Sequence, residues 1–191
     1  MFKALLLFTS LFFLGVTVAT VSVDTDASVI GWKGYKVTGE HAGTIKVKSG
    51  DLTFEDGSLT GGSFLIDMAS IKVTDLQGGA AAKLEGHLKS PDFFGVEDHP
   101  TAKLAITKVV SRGTPGAYRI TADLTIKENT ESIRFNAQVD EKSGAYVATA
   151  DITVDRSDFD VRYGSGSFID NLGDKTIYDE FDLSVQLVTK K

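Results

Sequence analysis

The sequence predicts an all-β fold, an antiparallel sheet with a short helical insertion near residues 79–95. Three observations carry this. Apolar and polar residues alternate over most of the chain after Val21, turn-forming pairs punctuate the alternating runs, and a single Ala-rich stretch breaks the pattern. A period of two describes strands with one dry face and one wet face.

In chain order, residues 1–19 come first. Lys3 supplies a positive start, Leu5 to Val18 is nearly unbroken apolar sequence, and small residues follow at Thr17, Ala19 and Thr20. This three-part pattern is that of a secretory signal peptide, with cleavage expected after Ala19 or Thr20 and the mature chain in the periplasm. The stretch approaches the length of a membrane anchor, but Gly15, Thr17 and Thr20 dilute its end. Residues 20–191 then read as one domain, with no composition shift to mark a second.

Gly79 to Lys89 is Ala-rich, with Leu84 and Leu88 four residues apart, the spacing of one helix face. Ser90-Pro91-Asp92 reads as an N-cap, a first-position proline and an early acid, predicting a second helical turn through Phe93-Phe94. Beyond it, Tyr118, Ile120, Ala122, Leu124 and Ile126 share one strand face, as do Ile133, Phe135, Ala137 and Val139. Tyr146, Ala148, Ala150, Ile152 and Val154 form a third such face, and Phe181, Leu183, Val185 and Leu187 the last. Asp56-Gly57, Gly113 to Gly116 and Ser143-Gly144 separate the runs as turns. Asp155 to Lys175, rich in Gly, Asp and aromatic residues, reads as an irregular connection.

Many amphipathic antiparallel strands favour a sheet closed on itself, because closure removes exposed edges. At eight strands a barrel either packs solid or holds one small ligand. Periodicity alone does not separate these outcomes, nor a barrel from a sandwich.

Composition narrows the chemistry. The 191 residues are 42% hydrophobic and 24% charged, with a net charge of −6 and no cysteine. That is enough apolar sequence for a core and too acidic a balance for a nucleic-acid binder. Disulfides, thiolate metal sites and a cysteine nucleophile are excluded, so an exported fold must rest on its core. His41, His87 and His99 fall at no zinc-type spacing, and no metal site is expected. Neither a Gly-x-Ser-x-Gly elbow nor a phosphate-binding Gly-rich loop occurs. His41, His87 and Asp92 are the candidates that an enzymatic reading has to work with. Arg156, between Asp155 and Asp158 at a strand end, reads either as a loop lock or as a guanidinium for a ligand's polar head. His41, in Gly39-Glu40-His41-Ala42-Gly43, carries the same two readings.

Set in order, these pieces resemble a known family. They are Ser28-Val29-Ile30-Gly31-Trp32-Lys33-Gly34, Gly39 to Gly43, Gly61-Gly62-Ser63-Phe64-Leu65-Ile66-Asp67-Met68 and, most specifically, Gly86-His87-Leu88-Lys89-Ser90-Pro91-Asp92-Phe93-Phe94. His99-Pro100, Ala122 to Lys127, Asp155 to Phe159 and Arg162-Tyr163-Gly164-Ser165-Gly166 continue the likeness over the whole mature chain. The chain resembles the YceI family of lipocalin-like polyisoprenoid-binding proteins. It departs at Glu128, where the family usually has glycine and the hairpin is expected to turn differently, and at Gly95-Val96, where an acid is more typical.

The resemblance implies an extended antiparallel eight-stranded lipocalin-like β-barrel, with an apolar interior for a long polyisoprenoid lipid of the isoprenoid quinone or prenyl phosphate type. It implies a carrier or sequestering protein with no catalytic cofactor, rather than an enzyme. Trp32, Phe64, Ile66, Met68, Leu88, Phe93, Phe94, Phe135, Phe159 and Phe181 become the candidate wall or mouth residues, and His41 and Arg156 the candidates for the head-group end. Transient membrane or membrane-protein contact and a homodimer are compatible with such a carrier. A non-catalytic interaction module for an envelope partner and a lipid-modifying enzyme are the competing readings.

Overall fold

The computed structural model describes residues 15–191, so the leader reading over residues 1–14 lies outside the described residues. Nine strands form one antiparallel sheet: β1 (Val18–Ser22), β2 (Val29–Lys36), β3 (Gly39–Glu55), β4 (Ser58–Val73), β5 (Thr101–Ser111), β6 (Ala117–Ile126), β7 (Asn129–Lys142), β8 (Ala145–Asp155) and β9 (Ile177–Val188). From β3 to β9 each strand pairs with the next, while β2 pairs with both β9 and β3. The ring is an eight-stranded barrel, which resolves the barrel-or-sandwich alternative.

The ninth strand, β1, is an extension of the first stave. Along β3, Gly39–Ile45 pairs with β2 and Asp51–Glu55 pairs with β1. Between them Val23 donates its N–H to Gly50 O, and Asp24 donates to Val188 O. A cut after Ala19 or Thr20 falls inside β1, between residues paired to Phe54, Thr53 and Leu52.

Strict up-and-down order sorts the connections into two ends. At one end lie only hairpins and short turns: Asp56-Gly57, Arg112–Gly116 and Ser143-Gly144. Asp56 and Gly57 have φ of 47° and 78°, and Ser143 and Gly144 of 55° and 79°, the left-handed pairs that match strand twist. At the other end lie the β2–β3 turn, the β6–β7 hairpin, the helix-bearing β4–β5 connection and the long β8–β9 loop. In the β6–β7 hairpin the left-handed residue is Lys127, φ 55°, and not Glu128. Gly95, the other departure, also sits at a left-handed φ of 57°, where a Cβ is strained.

The helix α1 spans Gly78–Lys89 and leans on β4, with Glu85 Oε1 accepting the N–H of Val73 at 2.9 Å. The predicted second helical turn is corrected. Ser90 closes α1 instead of opening a helix: its Oγ donates back to His87 O at 2.8 Å. Phe93 and Gly95 then both donate to Ser90 O, folding residues 91–98 into successive turns.

Two buried clusters lie toward the barrel's two ends. Val23, Leu52, Phe54 and Leu59 lie at the hairpin end, where Phe54 stacks on Tyr146 at 4.0 Å between centroids. Met68, Ile71, Val96, Leu124, Ile126, Val154 and Phe159 lie toward the loop end.

Candidate functional site

Between these clusters the inward faces of the staves do not meet. They leave a cavity of about 210 Å³, lined almost wholly by carbon. Every stave contributes: Ile30 and Trp32 from β2, Ile45 and Val47 from β3, Phe64 and Met68 from β4, Leu104 from β5, Leu124 from β6, Phe135 from β7, Ile152 from β8 and Leu183 from β9. So apolar a cavity offers water no partners, which favours an apolar occupant.

The hairpin end is blind. The last lining residues there are Leu52, Leu59 and Leu187, all buried. Beyond them Val23, Phe54, Tyr118 and Tyr146 pack into the same cluster without facing the cavity, and Tyr118 Oη accepts the N–H of Leu59 at 3.3 Å. The loop end carries the mouth. Its lining residues Gly34, Tyr35, Leu88, Phe94 and Ile177 are part-exposed, and Tyr178 is 52% exposed.

Nine of the ten proposed wall residues reach the cavity: Trp32, Phe64, Ile66, Met68, Leu88, Phe93, Phe94, Phe135 and Phe181. The indole of Trp32 donates to Thr44 O at 3.3 Å and lies across β3, where a Cβ on Gly43 would come within 2.5 Å of it. Phe93 and Phe94 meet edge to face at 5.0 Å and close over part of the mouth. Phe159 is the exception. Asp155 accepts the N–H of Ser157 at 2.8 Å and starts a 3-10 turn over Arg156–Phe159, which ends the strand alternation. Phe159, 1% exposed, therefore packs in the core beneath the loop and does not line the cavity.

His41 is also placed elsewhere. Its Nδ1 lies 2.8 Å from Asp75 Oδ2, tying the start of β3 to the segment after β4, and it does not line the cavity. Of its two readings, the loop lock is the one the contacts match. Burial pushes the Asp75 carboxyl up, but its hydrogen bonds to His41 and to the Ala42 N–H outweigh this and lower its pKa. His87 packs against Phe93 at 5.6 Å and Tyr163 at 4.4 Å, while Asp92 is exposed on the turn after α1. Among the described residues no hydrogen bond joins His41, His87 and Asp92, and no cluster of three His, Cys, Asp or Glu side chains could hold a metal.

Arg156 does reach the cavity, and is 2% exposed. Its Nε donates to Tyr178 O at 3.1 Å, Nη1 to Val161 O at 2.6 Å and Nη2 to Ile177 O at 3.0 Å. Asp179 Oδ1 stands 3.2 Å from Nη2, and the Phe93 ring lies 5.4 Å from the guanidinium carbon. Burial draws the pKa of Arg156 down, against the opposing pull of Asp179 and Asp155. The side chain staples the β8–β9 loop to its own two ends.

Sequence reasoning left out much of the wall, including Ile30, Tyr35, Val47, Leu52, Leu59 and Ile71. Register shifts hid those on β3 and β4. The inward series on β3 is Ile45 and Val47, then Leu52 and Phe54 after an irregularity between Val47 and Ser49. On β4 it is Leu59, then Phe64, Ile66 and Met68, then Ile71 and Val73. Each bulge exchanges odd for even positions, so one alternating template fails across it.

The structure is similar to solved ones of the same architecture. Burkholderia cenocepacia BcnA superposes with a TM-score of 0.68 at 20% identity, covering 88% of this chain and 99% of BcnA. A polyisoprenoid binding domain from Saccharophagus degradans, implicated in plant cell wall breakdown, gives 0.68 at 14% identity, covering 91% and 99%. The Campylobacter jejuni YCEI protein gives 0.55 at 16% identity, covering 100% and 94%. Among curated proteins, UPF0312 protein plu2095 of Photorhabdus laumondii is 26% identical over 141 residues, which are 66% of this chain and 70% of that protein. The YceI-like domain family itself matches residues 22–189, from the end of β1 to just past β9, and the chain therefore belongs to that family.

Proposed function

We propose that this protein binds a long polyisoprenoid lipid, of the isoprenoid quinone or prenyl phosphate type, in its barrel and carries or sequesters it in the periplasm without catalysing a reaction. The observation that carries this reading is the cavity itself, apolar from Tyr178 to Leu59 and blind at its far end. A hydrocarbon tail gains roughly 0.8 kcal/mol for each methylene moved from water into such a space. A chain of many such units offsets the costs of association and ordering. The polyisoprenoid binding of the Saccharophagus domain, which shares the fold, supports the same class of ligand. Exposed Tyr163, Phe168 and Ile169, on the loop that frames the mouth, favour transient contact with the membrane that supplies such a lipid.

Purification from the periplasm of the native host, followed by native mass spectrometry and lipid extraction, tests this. The expected result is one isoprenoid per chain. A lipid-free protein that also takes up no added polyprenol, quinone or prenyl phosphate overturns the reading.

A further inference from the structure

We propose that the mouth selects a polyisoprenoid with an uncharged head over one that ends in phosphate. This rests on the lipid-binding reading above and decides between its two ligand types.

Arg156 is the one charged side chain among the described residues lining the cavity. Its position beside the mouth is where a guanidinium would meet an anionic head. It is already engaged. Three of its nitrogens donate to the carbonyls of Val161, Ile177 and Tyr178, and its charge is balanced by Asp179. A phosphate drawn to the two N–H groups that Arg156 does not give to carbonyls would meet the Asp179 carboxylate, 3.2 Å from Nη2. Two anions held close together out of water are heavily disfavoured.

None of the other cations of the loop end lines the cavity. Lys33 pairs with Glu40 at 3.1 Å, Arg162 contacts Asp160, and Lys127 donates to Asp160 O at 3.1 Å. Lys36 and Lys175 stand on the rim segments without lining the cavity. Apart from Arg156, the polar groups that line the mouth are neutral phenols. Tyr35 donates to Asp182 at 2.7 Å, while the exposed hydroxyl of Tyr178 has no hydrogen bond among the described residues and can serve a hydroxyl or carbonyl oxygen.

A neutral head can therefore follow its chain past the rim. A phosphate must stay in water, which draws the first part of the chain out with it. Each methylene left exposed lowers affinity roughly fourfold, so an offset of two exceeds about tenfold.

The experiment titrates the purified full chain with a polyprenol and with its monophosphate of the same length. Quenching of Trp32, the single tryptophan, reports occupancy, and native mass spectrometry of the mixed ligands reports competition. The polyprenol is expected to bind at least about tenfold more tightly. Equal or tighter binding of the phosphate overturns the selectivity and leaves lipid binding standing. Binding of neither overturns both. Asp179→Asn, which removes the counter-charge nearest Arg156, is expected to narrow the preference at least threefold. If it folds and the ratio does not change, Arg156 neutralisation is not the basis of selection. If it does not fold, the wild-type ratio alone decides.

Discussion

Asp179 and Arg156, 3.2 Å apart, form an ion pair whose two members come from the two ends of a single loop, with both side chains nearly out of water. Asp179 Oδ2 accepts the Ser167 hydroxyl at 2.6 Å, so the pair also reaches the middle of that loop. Removing one member of such a pair strands the other. Arg156→Leu is expected to cost about 3–5 kcal/mol in urea unfolding, because three carbonyls lose their donor and the Asp179 carboxylate its counter-charge together. A loss below about 1 kcal/mol would show that the loop holds without the staple.

The wall assignment predicts opposite outcomes for an inward residue of β7 and an outward residue of β4. Phe135→Arg places a guanidinium in the cavity, whereas Leu65→Arg, on the exposed outer face of β4 between Phe64 and Ile66, does not. Polyprenol uptake, followed by Trp32 quenching, should be lost in the first and kept in the second. Equal uptake by both variants would place the ligand elsewhere.

Gly43 lies where β3 passes beneath the indole of Trp32, and an added Cβ would stand 1.8 Å from Lys72 O and 2.5 Å from the ring. Gly43→Ala is expected to destabilise the barrel by about 1–3 kcal/mol, the usual cost of overpacking. Because Trp32 is the only tryptophan, its emission maximum should shift with the displaced ring. An unchanged spectrum and melting temperature would contradict this contact.

Acid and alkali should act on one cross-strand pair from opposite sides. Hydrogen bonds from Thr153 and Tyr35 hold the Asp182 carboxyl below its usual pKa. Stability from this group is therefore present above the ordinary carboxylate value and lost as pH falls through the lower folded one. The same hydrogen bond to Asp182 raises the Tyr35 phenol from 10.0 to about 12, so its contribution persists below its ordinary value and fades as pH rises toward 12. Thermal unfolding between pH 2 and 12 should show both slopes, and Asp182→Asn should flatten both.

His41→Ala is expected to change stability by no more than about 1 kcal/mol, since the pair with Asp75 is part-exposed. Lipid uptake should be unaltered, because the imidazole does not line the cavity. Loss of uptake at unchanged stability would return His41 to the head-group site.

Legibility in the sequence followed the regularity of the backbone. The run from Tyr118 to Ile126 keeps one parity throughout β6, and there alternation named the inward residues correctly. Phe181 to Leu187 did the same for β9, where all four apolar positions line the cavity. Strands β3 and β4 carry register shifts, and their wall residues came through only where a motif marked them, as at Phe64, Ile66 and Met68. Phe159 misled because its neighbours are strand-like while its own backbone is a 3-10 turn. Ser90 misled because one hydroxyl can cap a helix ahead or behind, and the choice depends on α1 already being present. Arg156 was legible as a dual-purpose residue, but its partners are carbonyls, which no side-chain pattern reveals.

The packed hairpin end has a kinetic corollary. With Phe54 stacked on Tyr146 below the last cavity residues, there is no through-route along the barrel axis. For the lipid carrier proposed above, a guest would thread in tail first and withdraw head first through one aperture. Donor and acceptor would then use the same doorway in turn, making exchange a two-stroke cycle in which the loaded barrel leaves one before it engages the other.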